Sequence, residues 1–203
     1  MRRDEARISE WTRAAVIALA ALWVGGTLLA PALASRALGH PHAPAPNVEL
    51  NAALNDSGPP DLTSMMLVSS LYRAYRPVCH QLSGRSFHVD GYPVAVCARC
   101  FGIYSGFLLG LIVYPLVRGR GRTDMPPRLW LILALAPVSV DFLGGLAGAF
   151  ENTHASRLIT GALAGAAGAF YIMPGLICMA LSWSRSRREA RAARTRREAL
   201  PGQ

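Results

Sequence analysis

The sequence predicts an all-α membrane protein of about four transmembrane helices, with an extracytoplasmic loop bearing a short interfacial helix and a Cys/His cluster. Three observations carry this. Hydrophobic residues make up 52% of the 203-residue chain and charged residues 16%, against about a quarter charged in soluble domains. Four apolar stretches approach the roughly 20 helical residues that cross a hydrocarbon core of about 30 Å. The arginines gather between those stretches on alternate sides, as topology determinants do. The formal net charge of +9 would also suit nucleic acid, but no basic face studded with aromatic residues accompanies it, so no nucleic-acid partner is expected.

The first stretch runs from Ala14 to Leu33, within an anchor at 14–34 that follows a cytoplasmic N-terminus at 1–13. A basic leader, an apolar run and Ala32-Leu33-Ala34 before Ser35 also fit a cleavable signal peptide. The length of the run favours a retained anchor, and either outcome leaves the next segment outside. The second stretch, Phe101–Val117, is short and is expected to begin a few residues earlier. The third is Leu129–Phe150 and the fourth Leu158–Trp183; with the second they form a membrane bundle at 101–183. Fifteen arginines fall before the first stretch, between the second and third, and after the fourth. Six (Arg36, Arg73, Arg76, Arg85, Arg99 and Arg157) fall on the other side. Both termini are therefore expected in the cytoplasm, in a multi-pass protein of the cell (plasma or inner) membrane.

Between the first two stretches lies the outer loop, 35–100. Its proline-rich part at 36–63, with His40 and His42, has linker composition. From Ser64 to Val78, Met65, Met66, Leu67, Leu71, Tyr72 and Tyr75 recur at helical spacing, which predicts an amphipathic helix with its rings at headgroup level. Pro77 ends it and delivers Cys79 and His80 at a turn. The tail at 184–203 alternates Arg with Ala and Glu, and fits either a helix on anionic lipid or an unstructured positive anchor. Glycines at four-residue spacing (Gly102, Gly106, Gly110; Gly144, Gly148; Gly161, Gly165) predict tight packing of the last three spans, with the first more peripheral.

Helix packing does not account for the remaining polar residues. Asp141 lies inside the third span, where a carboxylate costs about 2.5 kcal/mol or more and usually faces a partner or a cavity. Arg157, at the outer mouth of the fourth span and on one face with Thr160, is the expected partner, with Asn152 in the loop between. Cys79, Cys97 and Cys100 are all placed outside, and three cysteines cannot all pair within one chain. Cys79-His80 with Cys97-Ala-Arg-Cys100 supplies the donor set of a tetrahedral zinc site. Adjacent residues seldom both ligate one ion, so His88 or His154 is an alternative fourth ligand. The same cysteines, set before a helix and beside Arg99, also suit thiol-disulfide exchange. Phe101 after Cys100 excludes c-type haem attachment, and the metalloprotease, P-loop and Gly-x-Ser-x-Gly motifs do not occur.

The runs Cys79-His80-Gln81, Arg85-Ser86-Phe87 and Cys97-Ala98-Arg99-Cys100-Phe101-Gly102-Ile103-Tyr104-Ser105-Gly106 resemble the signature of a prokaryotic membrane family, domain of unknown function 2085. Asp141, Asn152, Arg157, Thr160 and Gly161 resemble its second block. The resemblance spans roughly residues 70 to 175 and implies a small polytopic membrane protein without a settled activity. Phe101 departs from the small polar residue that is common in the family after the Cys-Ala-Arg-Cys run, which bears on access to the cysteines.

Three readings follow from the residues. The first is an outward metal site, zinc on Cys79, His80, Cys97 and Cys100, beside a pocket in which Asp141, Arg157 and Arg85 are the candidate catalytic groups. Gln81, Arg99, Asn152 and Thr160 would complete this pocket, which suits an anionic lipid-like substrate. The second is a thiol-disulfide oxidoreductase or redox sensor using Cys97 and Cys100. The third is a non-catalytic metal or disulfide staple.

Overall fold

The computed structural model describes residues 2–38, 62–119 and 124–199. These form five helices: α1 (Arg2–Leu38), α2 (Leu62–Tyr75), α3 (Ala98–Arg118), α4 (Arg128–Leu146) and α5 (His154–Ala199). Between α2 and α3 lie a 3-10 turn, Ser83–Arg85, and a two-stranded antiparallel hairpin of β1 (His88–Val89) and β2 (Tyr92–Pro93), with His88 opposite Pro93. Helices α1, α3, α4 and α5 are each long and apolar enough to cross a membrane. The expected linker at 36–63, with His40 and His42, falls mostly outside the described residues.

The second span does begin earlier than its apolar run, at Ala98, which gives α3 21 residues. The third ends at Leu146 rather than Phe150, because the chain turns through Gly148 at φ +71°, backbone that glycine adopts without strain. The fourth does not stop at Trp183. Helix α5 runs 46 residues, about 69 Å at 1.5 Å per residue, so its basic end projects well past a single bilayer core.

Close approach of α3 and α5 is the centre of the bundle. A Cβ at Gly102, Gly106 or Gly110 would run into the Leu158, Ala162 or Ala166 carbonyl, and one at Gly161 or Gly165 into the Arg99 or Ile103 carbonyl. Glycine on both helices lets the two backbones touch, which is how helices gain contact in lipid. A satellite core of Leu111, Tyr114, Ala169, Met173 and Ile177 continues the seam below.

The expected order of the other two spans is reversed. Helix α1 packs closely, whereas α4 is the peripheral one, with Asp141 its single buried residue. The α4 glycines meet the following loop instead of a helix: Gly144 lies under the Phe150 ring and Gly145 under the Asn152 amide.

Helix α1 is tied in by its own proline. Pro31 has no N–H to offer the Thr27 carbonyl four residues earlier, and that carbonyl instead accepts a 3.2 Å hydrogen bond from the Ala95 N–H. One residue before Thr27, Gly26 leaves room for the Tyr75 ring, whose hydroxyl donates to the Trp23 carbonyl at 2.7 Å. Tyr72 donates to the Pro93 carbonyl at 2.5 Å. Both tyrosines are buried against the protein, so α2 docks on the rest of the molecule by its rings. Burial pushes the Tyr72 phenol up from its ordinary range.

At the opposite end, Asp4 and Glu5 of α1 pair with Arg188 and Arg185 of α5 at 3.1 and 3.0 Å. Trp11 and Trp183 are exposed there, and the Arg187 guanidinium lies 3.7 Å over the Trp183 ring. Aromatic and cationic side chains together are typical of a membrane–water boundary.

Candidate functional site

The three cysteines come together because two turns meet. After α2, the Cys79 N–H donates to the Tyr75 carbonyl at 3.0 Å, fixing Cys79 just past the helix end. Cys97 is the N-cap of α3 in extended backbone, and its N–H donates to Cys79 Sγ at 3.2 Å. The sulfurs of Cys79, Cys97 and Cys100 all lie within 4.8 Å of one another. They pack against a core that includes Ala30, Ala34, Tyr72, Tyr75, Val94, Ala95 and Val96. Donation from the Cys100 and Cys79 thiols holds the Cys97 thiol far below its ordinary range, with further help from the amides of Cys100 and Arg99.

Two devices hold the Cys79 turn. Gln81 takes positive φ, +53°, and its amide donates to the carbonyls of Tyr72 at 2.6 Å and Ala95 at 2.9 Å. The hairpin reverses through Asp90 and Gly91, both at positive φ, and closes with a 2.7 Å bond from the Val94 N–H to the Phe87 carbonyl. An Asp-Gly pair between apolar residues is a strong hairpin signal, and it is the mark in the sequence that would have placed this element.

Arg99, inside the Cys97–Cys100 turn, points the other way. Its guanidinium pairs with Asp141, which is only 5% exposed, and lies over the Phe142 ring. The expected Asp141–Arg157 pair is therefore replaced by Asp141–Arg99. Asn152 donates to the Asp141 main-chain carbonyl, so one loop side chain braces the residue that holds Arg99. Beside the pair opens a cavity of about 720 Å³, lined by the polar Arg85, Arg99, Asn152, Arg157 and Glu151 together with the apolar Phe142, Leu146 and Phe150. Arg157 has Arg85 and Arg99 as like-charged neighbours. Nε of Arg99 and Nε of Arg157 are both buried and without a hydrogen-bond partner.

The expected site residues thus divide into two groups. Arg85, Arg99, Asn152 and Arg157 line the cavity, with Asp141 paired to Arg99, while Cys79, Cys97 and Cys100 form a separate group that does not line it. Gln81 clamps the Cys79 loop and does not line the cavity, and the Thr160 hydroxyl donates to the Ser156 carbonyl of its own helix at 2.8 Å. His80 is exposed and stands outside the sulfur group. His88 is 3.0 Å from the Ser83 hydroxyl, and the His154 ring rests on Phe87. Phe142, Phe150 and Glu151 had no signal in the sequence beyond an apolar or loop context.

Three converging sulfurs with N–H donors around them fit a thiolate-bound metal, since outer hydrogen bonds orient and tune ligands. They do not by themselves fit zinc in its usual four-ligand form: among the described residues no imidazole or carboxylate joins the sulfurs.

A family model described as a predicted membrane protein, DUF2085, matches residues 79–171. An uncharacterized protein of Methanocaldococcus jannaschii is 45% identical over 104 residues, covering 51% of this chain and 67% of the relative. An uncharacterized protein of Methanothermobacter thermautotrophicus is 32% identical over 94 residues, covering 45% of this chain and 80% of the relative. No solved structure matches. The matched region contains both the cysteine group and the arginine cavity, and the chain belongs to the DUF2085 family of predicted membrane proteins.

Proposed function

We propose that this protein binds a phosphate-bearing amphiphile in the Arg85–Arg99–Arg157 cavity, with the cysteine group as a metal-holding staple that fixes the turn carrying Arg99. The observation that carries the reading is the pair of buried, unpartnered Nε–H donors of Arg99 and Arg157 beside a cavity lined by both polar and apolar side chains. Buried donors normally have acceptors, and guanidinium groups match phosphate oxygens two at a time. Phe142, Leu146 and Phe150 offer apolar surface to an acyl chain, which favours a lipid headgroup over a free anion.

Binding is better supported than metal catalysis. No cysteine lines the cavity, so an ion on the sulfurs would not touch a ligand there, and Asp141 is already committed to Arg99. The arginine asymmetry supports a cavity on the outer face of the cell membrane and both termini in the cytoplasm. A second reading, thiol-disulfide exchange, has one observation in its favour: three thiols within 4.8 Å at a helix start. Cysteines whose alkylation pattern is the same under reducing and oxidising conditions would exclude it.

The test is a titration of the full-length protein in neutral detergent with short-chain phosphatidate, the matching diacylglycerol and inorganic phosphate, read by thermal unfolding. Phosphatidate should stabilise most, and Arg157→Gln or Arg85→Gln should weaken that binding about tenfold, the worth of one charge-assisted hydrogen bond. Equal stabilisation by phosphatidate and diacylglycerol would contradict the proposal. Stabilisation by inorganic phosphate alone would replace the amphiphile with a free anion.

A further inference from the structure

We infer that the Cys79–Cys97–Cys100 group is a three-coordinate, all-sulfur site for a soft monovalent ion of the copper(I) class, in preference to tetrahedral zinc. This rests on the reading that the cysteines hold a metal, and adds which metal.

The donor set is the first argument. All three sulfurs lie within 4.8 Å of one another, and among the described residues no imidazole or carboxylate joins them. Soft thiolates select copper(I), whereas zinc nearly always takes four ligands. Purely sulfur donors at coordination number three leave zinc one ligand short.

Second, the histidine next to Cys79 in the chain is held away. His80 follows Cys79 directly, but the next residue, Gln81, is tied by its side chain to two main-chain carbonyls, of Tyr72 and Ala95. Bringing His80 inward would move the backbone that those two bonds fix. His88 and His154 are occupied with Ser83 and Phe87.

The third argument is the wall. Cys79 is 6% exposed, and Ala30, Ala34, Val94, Ala95 and Val96 around it are almost fully buried, which disfavours a water ligand from that side, while Cys97 and Cys100 are half-buried. Tyr104, one turn beyond Cys100, is close enough to feel the charge of all three cysteines and is the phenol that could add an oxygen to the shell.

Three thiolates with one monovalent ion keep excess negative charge, and the surroundings answer it. Amides of Arg99 and Cys100 donate to Cys97 Sγ, the Cys97 amide donates to Cys79 Sγ, and the positive end of α3 lies at the site. Arg157 is a cationic neighbour of Cys97.

The experiment loads the full-length protein in detergent, anaerobically and with thiols reduced, with copper(I) or zinc(II) against a chromophoric chelator. X-ray absorption of the loaded wild type then gives the ligand shell. Expected are one copper(I) per chain, three sulfurs and no nitrogen or oxygen in its shell, and zinc removed by the chelator. Cys97→Ser should weaken copper(I) binding at least about tenfold, with His80→Ala unchanged. A stoichiometric zinc centre with a nitrogen scatterer that His80→Ala removes, or a zinc or copper shell with an oxygen from Tyr104, would overturn the copper(I) assignment and keep the metal reading. No stoichiometric binding of either ion would overturn both. The wild-type absorption spectrum decides even where a cysteine variant fails to fold.

Discussion

Arg99 joins the two halves of the site, since its main chain forms the cysteine turn and its side chain forms the cavity. The Arg99 carbonyl is pressed against Gly161 of α5, and the guanidinium is held by Asp141. Asp141→Asn should therefore loosen the cavity by freeing Arg99. Losing one partner of a fully buried pair costs about 3–5 kcal/mol; Arg99 is 19% exposed and Asn still accepts a hydrogen bond, so about 2 kcal/mol is expected here. Thermal unfolding in detergent measures it, and Asp141→Asn should also weaken phosphatidate binding. That Asp141 has a partner follows from the cost of a carboxylate in a span, and the sequence supports this much. The identity of the partner is not legible, because Arg157 and Arg99 both start a helix at the same end and only helix phase selects between them.

At the scale of elements, the spans were readable because hydropathy and length are properties of each segment alone, while their partners depend on rotation about the axis. The glycines of α3 and α5 face each other, but those of α4 serve Phe150 and Asn152, and spacing does not distinguish the two uses. Gly106→Ala, whose Cβ would overlap the Ala162 carbonyl, should destabilise the bundle by about 1–3 kcal/mol. Gly175→Ala has nothing within 4 Å of the new Cβ and should be neutral or stabilising, since Ala is the better helix former. Thermal unfolding of the two variants side by side checks the contrast. Gly26→Ala should displace the Tyr75 hydroxyl from the Trp23 carbonyl and loosen the Cys79 turn, seen as faster alkylation of Cys79. The role of α1 went unread because Pro31 looks like an ordinary helix irregularity; its consequence, a free Thr27 carbonyl, becomes meaningful only with Ala95 beside it.

At the scale of the whole molecule, α1 bridges both ends, with Asp4 and Glu5 on the basic end of α5 and Thr27 on the cysteine loop. A cleaved leader would forfeit both sets of contacts, so the purified protein should have an intact mass that includes residues before Ser35. A mass beginning at Ser35 would contradict retention of α1. That four long apolar helices are present, with a segment of short elements between the first two, was legible from composition. That the cysteines and the arginine cavity form separate groups was not, since Arg99 belongs to the same short motif as Cys97 and Cys100. The most direct measurement of the central claim is native mass spectrometry of the full-length protein released from membranes, wild type against Arg85→Gln/Arg157→Gln. The account predicts one phosphate-bearing lipid retained per wild-type chain and none on the double variant. Equal retention by the two, or retention of neutral lipid only, would contradict it.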